Sequence, residues 1–435
     1  MLIKIEKGAK YIIEKIIESG FEAFIVGGCV RDSIMGRKPN DWDITTSAKP
    51  QDIMSIFKKT IPTGIAHGTV TVMIDKVGYE VTTYRIDGEY SDMRRPESVK
   101  FSDNIIDDLS RRDFTVNAMA YNDKKGLIDI FGGLDDINKK KIRCVGNPEL
   151  RFNEDALRII RAIRFSAKLG FSIDDNTYKS MLKNADNIKK VSIERITSEF
   201  EGIIKYSPCA LTILNELGVC KWLFDGFDFS EESITNAQNI INIYKKTNTD
   251  DTYINENYEF GDIFSIENAK YINVLTRAVC FGHIDNYILI NILRKLRYSN
   301  KDIVNTKKIH SIYLNEKYDA LSDENINKNT MRVMMKEIMR DLEDILLSKY
   351  AIYSKFIKKN QNLGLCFAIF NDIIESGECF SISHLQINGR DVIENDIAKG
   401  PEIGELLNYL LDYVIKNPKA NKKEELLNLA RNRYN

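Results

Sequence analysis

Gly27-Gly28-Cys29-Val30-Arg31-Asp32, followed by Asp41-Trp42-Asp43, constrains this chain more than any other stretch. Phe21 to Val26 is apolar and β-prone, so a buried strand runs straight into two glycines. Gly27 and Gly28 let the backbone turn tightly and leave N–H groups uncovered. Val30 to Met35 has helical character, which sets those N–H groups at a helix N-terminus, a natural phosphate site. Asp41 and Asp43 stand two apart, and in a strand that spacing puts both carboxylates on one face. Two carboxylates beside a phosphate cradle is the arrangement that holds Mg²⁺ against a triphosphate.

The order and spacing of these pieces resemble the signature of polymerase-β-type nucleotidyltransferases. Gly-Gly-x-Val-Arg-Asp with Asp-x-Asp resembles, more narrowly, the class II tRNA nucleotidyltransferase family, which includes CCA-adding enzymes and bacterial poly(A) polymerases. The resemblance implies a fold of the α+β class: a small mixed five-stranded-sheet head followed by an all-helical neck, body and tail. It places the head at 1–145, the neck at 146–205, the body at 206–350 and a tRNA-binding tail at 351–435. It also implies nucleotide contacts from Gly27, Gly28 and Arg31.

Gly68 to Asp75 and Gly78 to Arg85 read as two strands joined by a tight Lys76-Val77 hairpin. Glu80, Thr82 and Tyr84 then share a face, and Glu80 points with Asp41 and Asp43 if the strands are neighbours. Glu80 is the candidate third carboxylate, with a cross-strand charge partner as the alternative. Residues 86–102 carry no sustained periodicity and read as a surface loop. The family's CC-only members have lost part of this loop, and here Asp87 to Pro96 looks intact. Arg112, Asp113 and Asn117 lie in Arg-Arg-Asp-Phe-Thr-Val-Asn-Ala, which resembles the family's ribose-recognition motif.

Leu150 to Lys168 reads as one helix, on which Asp155 and Arg158 are neighbours at i and i+3. One reading is an ordinary intrahelical salt bridge. The other is a base-selecting pair, since a carboxylate and a guanidinium match the edges of cytosine and adenine and mismatch uracil and guanine. Within Glu-Asp-x-x-Arg-x-x-Arg-x-x-Arg-Phe the pair resembles the family's amino-acid template. Arg161 and Arg164 continue the series, either stacking on the base and neutralising phosphates or solvating the helix. Ser192 to Ile196 resembles a motif that braces the neck, and Gly400 to Gly404 opens a helix in the tail.

Composition limits the rest. With 43% apolar and 29% charged residues the 435-residue chain is an ordinary globular protein of roughly three domains by length. No run approaches the roughly 18 apolar residues of a membrane span, and Met1 to Lys7 shows no signal-peptide pattern. The seven cysteines are scattered without a Cys-x-x-Cys pair, so a reducing cytoplasm is expected rather than zinc or disulfides. The net charge of −1 excludes a generic nucleic-acid coat protein, yet residues 151–205 carry 11 Lys/Arg against 8 Asp/Glu. Residues 225–262, rich in Asp, Glu, Asn and Tyr, read as an inserted loop. The expected activity is CCA addition to tRNA from CTP and ATP with Mg²⁺. Poly(A) synthesis and partial CC or A addition are the alternatives.

Overall fold

A computed structural model describes residues 2–88, 99–249, 264–358 and 361–434. It contains two compact units, residues 1–206 with 212–227 and residues 207–211 with 228–435.

The first unit opens with helix α1 (Lys7–Glu18), whose Ile12, Ile13 and Ile16 are buried at helical spacing. Strand β1 (Ala23–Val26) is buried throughout and feeds α2 (Gly28–Ile34). Next come β2 (Ile44–Thr46), α3 (Pro50–Ile56), β3 (Thr60–Gly64), β4 (Thr69–Ile74) and β5 (Val77–Thr83). The sheet is completed by β8 (Ala120–Asn122) and β9 (Gly126–Ile128), in the order β3-β4-β5-β2-β1-β8-β9. It is mixed, because β2 pairs with β5 in parallel while the other pairs run antiparallel.

The described sheet thus has seven strands where five were expected. The edge strand β3 and the β8–β9 hairpin are additional. The expected strand at 141–145 shrinks to β10 (Lys141–Ile142), which leaves the sheet to pair with β11 (Ser172–Ile173). The hairpin turn is Asp75-Lys76, both residues at positive φ, which matches the twist a two-residue turn needs. Glu80 and Thr82 face outward, but Tyr84 lies beyond the end of β5 and is fully buried, so it does not share their face.

The segment read as a loop over 86–102 begins and ends in structure: β6 (Arg85–Asp87) pairs antiparallel with β7 (Val99–Phe101). Residues 89–98, including most of the stretch expected to be an intact loop, lie outside the described residues. Helices α4 (Ile105–Ser110) and α5 (Gly133–Asn138) flank the Arg-Arg-Asp motif.

The expected single helix over 150–168 is two: α6 (Pro148–Glu154) and α7 (Leu157–Leu169), broken at Asp155 with φ −147° and ψ 102°. Beyond β11, α8 (Asp175–Asn184) and α9 (Ile193–Tyr206) complete the neck, with α7 packed along α9.

The second unit is helical. Of the segment expected to be a loop at 225–262, Glu231–Thr249 is a helix, and residues 250–262 lie outside the described residues. Apolar residues from 379 to 430, among them Leu406, Leu410, Val414 and Leu426, form one core cluster. Helix Glu402–Lys416 starts where Gly400 to Gly404 suggested. Among the described residues no helix is long and apolar enough to cross a membrane.

Candidate active site

The site is built where β1 ends. Gly27 sits at φ 79° and ψ −125°, a conformation that side chains resist. A Cβ there would lie 3.0 Å from Arg112 Nη1, so a side chain would displace that guanidinium as well as strain the backbone. The Val26 N–H donates to the Asp43 carbonyl at 3.0 Å and the Gly27 N–H to the Met119 carbonyl at 3.0 Å. Below the turn, the buried Cys29 thiol donates to the Val26 carbonyl at 3.3 Å. Burial, with the nearby Asp43 charge, pushes that thiol up to about 12.

Asp41 and Asp43 precede β2 rather than lying in it. The sheet still positions them. Ile44 is in parallel register with Val81, so Asp43 and Glu80 stand one step along adjacent strands. The electrostatics agree. Desolvation raises the Asp43 carboxyl, Arg112 opposes that shift, and Glu80 and Asp41 both add to it. The three carboxylates therefore share one field, with Arg112 as a nearby countercharge. These are hard oxygen donors suited to Mg²⁺. Among the described residues no group of three or more His, Cys, Asp or Glu is close enough to cage an ion. Asp41 and Asp43 could supply two oxygen donors to such an ion.

Arg112 is aimed by a residue the sequence reading passed over. Asp108, fully buried on α4, accepts at Oδ2 from Arg112 Nη2 at 3.1 Å and Thr45 Oγ1 at 3.2 Å, and at Oδ1 from Arg111 Nε at 3.0 Å. Burial pushes its carboxyl up, but the charges and hydrogen bonds of Arg112 and Arg111 leave it below the usual carboxylate range. Arg112 Nε is buried without a hydrogen-bond partner among the described residues, beside the glycine turn. A buried guanidinium N–H left unmatched is a donor waiting for an acceptor.

The neighbouring Asp113 is differently placed. Its Oδ1 accepts from the Phe114 N–H at 2.8 Å and Asn117 Nδ2 at 3.2 Å, and its Oδ2 accepts from Arg161 Nη2 at 2.7 Å and Nε at 3.0 Å. Burial works against its charge, yet Arg161, Arg158 and Asn117 hold the carboxyl down to about 2. Asn117 Oδ1 in turn accepts from Arg31 Nη1. Arg31 is 2% exposed and pairs with Asp32 at 2.7 Å, so it braces the turn from beneath.

The neck pair is separated by the helix break. Asp155 Oδ1 caps α7 through the Leu157 N–H at 3.1 Å, and Oδ2 accepts from Arg195 Nη2 at 2.7 Å. Arg158 pairs with Glu154 and donates to the Arg151 and Arg111 carbonyls at 3.1 Å each. Asp155 and Arg158 remain linked through the backbone, where the Arg158 N–H donates to the Asp155 carbonyl at 3.0 Å. Arg161 Nη1 also reaches Glu199 at 3.2 Å, and Arg164 Nε donates to the same carboxylate. Phe165 lies under Arg161 and Arg164, 5.3 and 4.2 Å from ring centroid to guanidinium. Asp108, Glu154 and Glu199 were missed as partners. The first had a signal, an acid three and four residues before two arginines at the end of one helix.

The sequence matches three family models: a poly A polymerase head domain over residues 23–143, a probable RNA and SrmB-binding site of polymerase A over 170–229, and a putative second domain of tRNA nucleotidyltransferases over 276–430. A CCA-adding enzyme of Lactococcus lactis is 34% identical over 421 residues, covering 95% of this chain and 94% of that protein. One from Oceanobacillus iheyensis is 51% identical over 191 residues, 44% of this chain and 48% of that one. A crystal structure of the Bacillus stearothermophilus CCA-adding enzyme in complex with CTP superposes with a TM-score of 0.71 at 29% identity, covering 98% of both chains. A nucleotidyltransferase head with paired carboxylates at a glycine turn and end-to-end similarity to such proteins together mean that the chain belongs to the CCA-adding enzyme family.

Proposed function

We propose that this protein adds C, C and A in turn to the 3′ end of tRNA, using CTP and ATP with Mg²⁺ and no nucleic-acid template, in the cytoplasm. The observation that carries the chemistry is the common field of Asp41, Asp43 and Glu80 beside Arg112. Asp41 and Asp43 would hold Mg²⁺, which activates the attacking hydroxyl and neutralises the leaving pyrophosphate. Glu80 stands beside them as the third carboxylate. The Gly27 N–H is spent on the Met119 carbonyl, so the phosphate-facing backbone of this turn is that of Gly28, and Arg112 offers its unmatched Nε to a phosphate or ribose oxygen. Arg31, Asn117 and Asp113 act by positioning, since their polar groups are already spent on one another and on Arg161.

Base choice rests on Asp155 and Arg158. A carboxylate has about four lone-pair sites, and the protein fills two of those on Asp155 with Leu157 and Arg195. The remainder suit the exocyclic amine of cytosine or adenine, with Arg158 donating to the ring nitrogen. Uracil and guanine would set acceptor against acceptor. Arg161 and Arg164 back this face, held by Glu199. We read 1–145 as catalytic, 146–205 as base-selecting, and 206–350 and 351–435 as body and tRNA-binding tail. The decisive test uses tRNA transcripts ending at the discriminator, at C and at CC, each with single labelled nucleotides. Ordered CMP, CMP and AMP addition is expected, and unlimited AMP tailing would overturn it.

A further inference from the structure

Phe165 is buried on α7, one residue beyond Arg164. Three guanidiniums face its ring: Arg164 at 4.2 Å from the centroid, Arg161 at 5.3 Å and Arg31 at 5.6 Å. Two come from α7 itself, and Arg31 comes from α2, directly after the glycine turn. Phe114, of the Arg-Arg-Asp segment, meets the ring edge to face, with centroids 5.7 Å apart and planes at 73°. Each cation also has a carboxylate: Asp32 for Arg31, Asp113 and Glu199 for Arg161, Glu199 for Arg164. A polar chain joins the same residues. Arg31 donates to Asn117, Asn117 donates to Asp113, and Asp113 accepts from Arg161. The Phe165 ring closes that chain into a circuit from α2 through the Arg-Arg-Asp segment to α7 and back.

Ordinary packing accounts for a buried phenylalanine, but not for the cations gathered on it. The negative face of an aromatic ring attracts a guanidinium, and more strongly where water is excluded. Gly202 shows that the arrangement is built. It lies inside α9, where glycine weakens a helix. A Cβ there would fall 2.4 Å from Cδ and 2.9 Å from Cγ of Arg164, so the glycine leaves room for the Arg164 stem to cross α9. We infer that Phe165 is a positioning residue for nucleotidyl transfer: its ring, through Arg31 and Arg164, fixes the base-selecting stretch of α7 against the glycine turn. The inference deepens the reaction proposed above and rests on it. It requires no contact between Phe165 and substrate.

The test replaces Phe165 in the full chain with 4-fluoro-, 3,5-difluoro- and 3,4,5-trifluorophenylalanine. These withdraw electron density from the ring stepwise at nearly constant shape, so each step weakens its hold on the cations. At saturating tRNA, kcat/KM for CTP and for ATP should fall together along the series, by roughly tenfold at the trifluoro form. They fall together because the ring fixes a site that both nucleotides share. Equilibrium binding of CTP without tRNA should weaken in the same steps. Phe165→Leu, apolar but without a ring face, should lose at least as much. Gly202→Ala, which displaces the Arg164 stem, should shift both readouts in the same direction. A ring that only packs would keep its activity, since fluorine adds apolar surface. Flat kcat/KM and flat CTP affinity across the fluorinated series would therefore overturn the inference, whether or not the Leu and Ala variants fold. Stepwise loss of CTP affinity in a protein whose parent adds no ordered CMP, CMP and AMP would support the positioning role and count against the proposed reaction alone.

Discussion

Asp155→Ala tests the base-selecting reading most sharply, because the structure gives this carboxylate two jobs that fail differently. Its Oδ1 caps α7, and losing a cap costs about 1 kcal/mol of stability. Its Oδ2 is fixed by Arg195 at 2.7 Å, with the two side chains 14% and 26% exposed, so the acceptor is held before a base arrives. If it receives the exocyclic amine of cytosine, its removal forfeits a charge-assisted bond of about 1.5–3 kcal/mol. That lowers kcat/KM for CTP by roughly 10- to 150-fold. UTP, whose O4 faced the carboxylate as acceptor to acceptor, should lose far less, so the CTP-to-UTP ratio falls by nearly the same factor. Arg195→Ala should shift the ratio in the same direction but less, since the carboxylate remains and is only released. The assay is incorporation efficiency for all four nucleotides on a tRNA ending at its discriminator, beside thermal midpoints. An unchanged CTP-to-UTP ratio in both Asp155→Ala and Arg158→Ala, with only lowered midpoints, would reduce the pair to helix architecture.

Asp41→Ala and Asp43→Ala should each abolish both CMP and AMP incorporation with an unchanged circular-dichroism spectrum, because transition-state charge stabilisation worth several kcal/mol is lost. More than about a tenth of parental activity in either would remove that residue from the metal site. Glu80→Ala gives a large loss if Glu80 acts as the third carboxylate and a mild one if it is a charge partner. Asp108→Asn strands two arginine charges and should cost on the order of 3 kcal/mol while raising the KM for nucleotide through misplacement of Arg112. Normal KM and normal urea stability would contradict that role. The Asp113 carboxyl is depressed to about 2, so its stabilisation is present above the unfolded value near 4 and is lost as pH falls towards 2. It amounts to about 2 kcal/mol at neutral pH, of which about 1 kcal/mol disappears between pH 5 and 3. Urea titrations should show the parent losing that much more than Asp113→Asn over the interval, and parallel pH profiles would refute the coupling.

What could be read from sequence was local. The glycine turn, the Asp-x-Asp spacing and the alternation of β4 and β5 each depend on residues within a few positions of one another. Of the strands that went unread, β8 and β9 are three residues long, too short for alternation to register, and the five-residue edge strand β3 carries a register shift between Ile61 and Gly64 and an all-exposed centre that hides its alternation. The helix over 231–249 was hidden by its Asn and Thr content, which weakens the apolar stripe. The break at Asp155 was hidden for the opposite reason. Apolar and charged residues keep a helical period straight through Glu154 to Arg158, and the break shows in the extended backbone of Asp155 and in its bond to the Leu157 N–H.

The ion-pair partners were illegible because the carboxylates come from far along the chain. Arg161 finds Asp113 48 positions away and Glu199 38 positions away, and no periodicity links such residues. The arginines of α7 look alike in sequence, each a candidate for base or phosphate, and what distinguishes them is which carboxylate the fold delivers. Asp113 and Glu199 convert Arg161 and Arg164 into supports for the site. Among the described residues Lys168, next in the same series, makes no ion pair, and Asp32 is the carboxylate that bears on its charge.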